Sequence, residues 1–83
     1  MSVRIYTAVP CGYCSAAKRF FDERGVEYDE VDLTGDYDAR AALLEATGQR
    51  TVPQIFIGDM HVGGYTDLIA LARGGRLDQL LKS

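Results

Sequence analysis

Cys11 and Cys14 are the two cysteines of the chain, and Gly12 and Tyr13 separate them. A bond between them would close a tiny loop and remove little entropy from the unfolded chain, so the pair is ill suited to stapling a fold. The spacing suits thiol–disulfide exchange. The residues before the pair read as a strand that stops at Pro10, and those after it as a helix. That puts the Cys11 sulfur at a helix N-terminus, where unpaired amides and the helix dipole favour the thiolate. Cys14 falls about one turn further along, within reach of Cys11 but set back into the structure. Cys11 is therefore the candidate nucleophile and Cys14 the resolving thiol. A structural zinc site needs two further ligands, and outside the carboxylates only His61 is available. Two inert buried cysteines do not fit a turn preceded by Pro and followed by Gly.

The elements that must position this pair follow from hydrophobic patterning. Val3-Arg4-Ile5-Tyr6-Thr7 alternates apolar and polar residues and is rich in β-branched and aromatic types, as a half-buried strand is. After Cys11, a helical face carries Ala17, Phe20, Phe21 and the stem of Arg24, with Gly25 suited to the C′ position. Val26 to Asp32 reads as a second strand. Thr34-Gly35-Asp36 breaks it and caps a helix from about Tyr37 to the stop at Gly48. Gln54 to Ile57, a turn at Gly58-Asp59, and Met60 to Val62 form a hairpin ended by Gly63-Gly64. Tyr65 to Arg73 reads as a helix, Gly74-Gly75 as punctuation, and Leu77 to Leu81 as a short terminal turn or helix. The β-α-β-α opening implies a parallel central pair joined by a crossover.

With 83 residues the chain suits one domain, residues 1–83, and is too short for two. Its formal charge of −3, with Lys and Arg scattered rather than striped, argues against a nucleic-acid partner. No charged start followed by a long apolar run is present, so neither a signal peptide nor a membrane span is expected, and a reducing cytoplasm is the default. Asp29-Glu30-Asp32 and Asp36-Asp38 lack the ligand pattern of a calcium loop. His61 reads as a surface strand residue rather than a base. Tyr6, Tyr28, Tyr37, Phe20, Phe21 and Phe56 read as packing residues.

Three motifs carry a family resemblance: Cys11-Gly12-Tyr13-Cys14, Thr51-Val52-Pro53-Gln54-Ile55-Phe56-Ile57, and Gly63-Gly64-Tyr65-Thr66-Asp67-Leu68. In their order and spacing the whole chain resembles the glutaredoxins. The resemblance implies an α/β, thioredoxin-like fold: a four-stranded mixed sheet in spatial order 2-1-3-4, built β-α-β-α-β-β-α, with two helices on one face and one on the other. It implies a glutathione-dependent thiol–disulfide oxidoreductase that reduces protein disulfides and glutathionylated proteins, working as a monomer. A thioredoxin-like redoxin fed by a reductase is the competing enzyme reading.

Pro53 interrupts a strand-like run, removes a ladder donor and holds its predecessor extended. In the family this proline is cis, which would leave the Val52 backbone free to bind an extended peptide facing the dithiol. Glutathione is a tripeptide with two carboxylates, so it needs a backbone clamp and two anion contacts. Gly63-Gly64 permits close backbone approach, and the helix begun by Thr66 and Asp67 offers free amides to a carboxylate. By resemblance, Thr66 and Asp67 hold the γ-glutamyl end beside Gly64, and Val52 next to Pro53 pairs with the cysteinyl part. Tyr13 lines the groove, Thr51 flanks the clamp, and Arg40 meets the glycyl carboxylate.

Two positions depart from the family pattern. Many members carry Lys three residues before the nucleophile, where this chain has Ala8; Arg50, next to Thr51, is the candidate replacement cation. The commoner dithiol motif has Pro where this chain has Gly12, and relatives with Gly or Ser there are the ones that hold a [2Fe-2S] cluster between two subunits. Cluster carriage, through Cys11 and glutathione in a bridged dimer, is the second functional class this sequence implies.

Overall fold

The computed structural model describes residues 2–82. The alternation in β1 (Val3–Thr7) sends Val3, Ile5 and Thr7 into the interior and turns Arg4 and Tyr6 to the opposite side. A crossover through α1 (Gly12–Glu23) returns the chain as β2 (Tyr28–Asp32), parallel to β1 with Ile5 opposite Glu30. Helix α1 buries Cys14, Ala17 and Phe21, a stripe at i, i+3 and i+7, and its Arg24 guanidinium lies 4.1 Å from the Phe20 ring centroid. The second strand starts at Tyr28, later than the pattern predicts, because the Val26 amide is committed to closing α1 on the Phe21 carbonyl.

Asp36 caps α2 (Tyr37–Thr47), its carboxylate accepting from the Ala39 amide at 3.0 Å, and Gly48 ends the helix in the left-handed conformation. Strands β3 (Gln54–Ile57) and β4 (Met60–Gly63) then form the hairpin, followed by α3 (Tyr65–Arg73) and α4 (Arg76–Lys82). The sheet order is β2-β1-β3-β4, with β3 antiparallel to both neighbours, as the resemblance implies. Where the sequence left a terminal turn or helix open, the chain forms a helix that buries Leu77.

One face of the sheet, Val3, Ile5, Ile55 and Ile57, meets Ala17 and Phe21 of α1, Leu68 of α3 and Leu77 of α4 in a single core. On the other face Tyr6 and Phe56 pack edge to face at 5.8 Å, and a hollow there is lined in common by Tyr6, Phe56 and Ala46 of α2. Tyr37 departs from expectation: at the first position of α2 it is 83% exposed and joins no core. No helix among the described residues is long and apolar enough to cross a membrane.

The β3–β4 ladder carries one irregularity that shapes the site. Phe56 pairs with His61 but Ile55 pairs with Gly63, so Val62 is an extra residue on β4. Gly63 then turns at φ 109°, a region closed to residues with a Cβ, and a Cβ built there would lie 2.5 Å from Asp67 Oδ2. That same oxygen accepts from the Gly64 amide at 2.9 Å and holds the start of α3. Gly63→Ala should therefore cost about 1–3 kcal/mol in urea unfolding. Gly12→Ala, where a Cβ meets no atom within 4 Å, should stay within about 0.5 kcal/mol of the parent.

Candidate active site

The turn from β1 into α1 is pinned before the cysteines are reached. The Val9 amide donates to Thr34 Oγ1 at 2.9 Å, and the Thr34 hydroxyl donates to Asp32 Oδ1 at 2.6 Å. Cys11 follows with extended backbone (φ −160°, ψ 106°) as the N-cap of α1, and its sulfur accepts from the Cys14 amide at 3.1 Å. An amide donating to sulfur stabilises developing negative charge there. The Cys11 thiol also faces the Val52 carbonyl, with Sγ and O 3.6 Å apart. The Val52–Pro53 bond is cis, as the resemblance implies, and so is Val9–Pro10, which the sequence did not announce.

The two thiols differ in access. Cys11 is half-buried, whereas Cys14 is 3% exposed. Burial pushes the Cys14 thiol up from 9.0 to about 11, and neighbouring Cys11 adds to the rise by hydrogen bonding and charge. The Ala8 backbone and Lys18 pull the other way. Lys18 lines the same hollow as both cysteines, and Glu30 Oε2 holds its Nζ at 3.2 Å while accepting from the Thr7 hydroxyl at 2.7 Å. This is the cation beside the dithiol. Arg50, expected in that place, lies instead in a hollow shared with Arg40.

Seven residues singled out from the sequence, Tyr13, Thr51, Val52, Pro53, Gly64, Thr66 and Asp67, line one groove of about 280 Å³. Tyr13, 66% exposed, stands 6.0 Å from Tyr65 ring to ring, so two aromatics form one wall. Arg40 does not line this groove. With Arg50 it lines an adjoining hollow of about 270 Å³ that shares Val52 and Gln49 with the groove, so the arginines flank one end of it. Asp67 is engaged through Oδ2 with the Gly64 amide.

Sequence reasoning missed four residues here: Gln49, Tyr65, Lys18 and Gln54. Gln54 is fully buried, donating from Nε2 to Gln49 Oε1 and to the Thr51 carbonyl, both at 2.9 Å. Its Oε1 lies 2.6 Å from His61 Nε2. A polar residue in the otherwise apolar run Gln54-Ile55-Phe56-Ile57 was the available signal. Among the described residues, no three His, Cys, Asp or Glu side chains are gathered as a metal site.

The contrast between the thiols makes a prediction in two parts. Iodoacetamide at neutral pH should modify reduced protein once, at Cys11, with Cys14 labelling only as the pH approaches 11 or the chain unfolds. Because the folded state binds the Cys14 proton more tightly than the unfolded chain, its contribution to stability is complete below pH 9 and is lost as pH rises through about 11. Over that interval, wild-type stability should fall more steeply than that of Cys14→Ala, as read by urea titration.

Comparison with known proteins agrees with this geometry. The glutaredoxin family model matches residues 3–62. A glutaredoxin of Pseudomonas aeruginosa is 47% identical over 81 residues, covering 98% of this chain and 96% of its own. Glutaredoxin 3 of Escherichia coli is 43% identical, covering 98% of each. Among solved structures, a buckwheat glutaredoxin–glutathione complex superposes with a TM-score of 0.88 at 40% identity over 96% of this chain and 76% of that one. The Brucella melitensis glutaredoxin gives 0.87 at 46% identity over 99% and 89%. The chain belongs to the glutaredoxin family, the thiol–disulfide oxidoreductases of thioredoxin-like fold.

Proposed function

We propose that the protein reduces glutathionylated proteins and protein disulfides at the expense of glutathione. The observation that carries this reading is the meeting of three features at Val52: its carbonyl faces the Cys11 sulfur, and its side of the chain lines both the groove and the arginine hollow. A glutathione laid along the groove has its cysteinyl sulfur near Cys11 and its backbone along Val52. Its γ-glutamyl carboxylate meets the start of α3, where Thr66 and Asp67 present amides, and its glycyl carboxylate faces Arg40 and Arg50. The buckwheat relative is a complex with glutathione, which supports glutathione as the ligand.

In the monothiol route the Cys11 thiolate attacks the glutathione sulfur of a mixed disulfide, and the protein thiolate leaves and takes up a proton. A second glutathione thiolate then attacks the bound glutathione sulfur, releasing oxidised glutathione and the Cys11 thiolate. In the dithiol route Cys11 attacks a protein disulfide, and Cys14 loses its proton and attacks the Cys11 sulfur, expelling the second protein thiol. Two glutathiones reduce the resulting Cys11–Cys14 bond. The burial of Cys14 keeps it from external disulfides and leaves Cys11 as its partner.

A glutathione-coupled assay tests this reading. Cys11→Ser should bring both activities to the uncatalysed rate, while Cys14→Ser should retain deglutathionylation and lose protein disulfide reduction. Turnover with thioredoxin reductase but none with glutathione would move the protein to the reductase-fed branch.

A second reading rests on Gly12, where the space beside half-buried Cys11 is open. The donors fit a [2Fe-2S] cluster only in part: Cys11 offers one accessible sulfur per chain, Cys14 is enclosed, and the other ligands must come from glutathione and a second copy. Anaerobic reconstitution with iron, sulfide and glutathione should yield a coloured dimer that Cys11→Ser abolishes. A colourless monomer would remove this role.

A further inference from the structure

The segment 49–53 walls the groove, and much of its support comes from side chains beneath it. Gln54 Nε2 faces two acceptors, Gln49 Oε1 and the Thr51 carbonyl. A backbone carbonyl accepts only, so the amide nitrogen of Gln54 must point toward the loop and its oxygen toward β4. There Oε1 meets His61 Nε2 at 2.6 Å. Two acceptors do not bond to each other, so this ring nitrogen carries the proton. The His61 ring is half-buried and tilted 32° against Phe56 with centroids 4.9 Å apart, which fixes the direction of the N–H.

We propose that His61 is a positioning residue: by donating from Nε2 it pairs the buried oxygen of Gln54 and so holds that amide against the Gln49 and Thr51 wall of the glutathione groove. Without that donor, the buried Gln54 oxygen loses its partner, and only the contacts to Gln49 and Thr51 remain to hold the amide. Thr51 forbids the reversed orientation, so the amide must shift to find its oxygen a new partner, and the wall loosens with it. His61 touches no reacting atom, so its effect falls on binding rather than on the thiol chemistry. The proposal rests on the reading of the groove as a glutathione site.

Two measurements decide it. In ¹⁵N-resolved spectra of wild-type protein, the neutral His61 ring should carry its proton on Nε2. In the glutathione-coupled assay, His61→Phe keeps an aromatic ring beside Phe56 but has no donor. It should raise KM for a glutathionylated substrate roughly three- to tenfold at unchanged kcat, the loss expected for one buried hydrogen bond. His61→Gln, which restores an N–H donor, should return KM to within about twofold of wild type. A neutral ring protonated on Nδ1, or an unaltered KM in His61→Phe, would overturn the proposal while leaving glutathione turnover in place. If His61→Phe does not fold, the tautomer in the wild type still decides. Absence of glutathione turnover in the wild type would overturn the functional reading and this inference together.

Discussion

The antiparallel pairing of β1 with β3 is the constraint on which the site depends. With Tyr6 opposite Gln54, the end of β1, from which the chain runs on to Cys11, lies beside the beginning of β3, just past Val52 and Pro53. The Cys11 sulfur and the Val52 carbonyl, 41 positions apart in sequence, meet as a result of that register. A slip of one residue would turn Ile55 and Ile57 away from the apolar core face and set Gln54 and Phe56 against it, so the apolar pattern of β3 enforces the geometry of the chemistry. Burial of these isoleucines with Val3 and Ile5 thus serves the dithiol although none of them touches it.

Much of this was legible in the sequence because local rules govern it. The strand, the Pro10 stop and the helical stripe of Ala17 and Phe21 locate Cys11 as an N-cap without any long-range information. Gly25 and Gly48 end their helices where the pattern places them, both at positive φ. The motif around Pro53 and that around Gly64 meet in one groove through the sheet order β2-β1-β3-β4, which the family resemblance implied.

The remainder depends on which side chains meet across elements, and a one-dimensional pattern does not contain that. Lys18 reads as an ordinary helix cation until α1 is laid over β1 and β2, where Glu30, itself bonded by the Thr7 hydroxyl, holds it beside Cys14. His61 reads as a surface residue until its pairing with Phe56 sets it on the face of the sheet from which Gln54 Oε1 points at it. Arg40 and Arg50 are ten positions apart, and only the return of the chain after α2 puts them in one hollow. Tyr37 was misplaced because an aromatic at the start of a helix carries no sign of which way the helix will lie.

Cys11 is at once the exposed sulfur of the dithiol and the residue that caps α1. A bond formed at that sulfur changes the acceptor that the Cys14 amide meets, so thiol oxidation and the start of the helix are linked through this cap. The reduction potential of the pair is then, by a thermodynamic cycle, a measure of how differently the two states fold. The contact that starts the helix is thereby one contributor to the electron affinity of the pair.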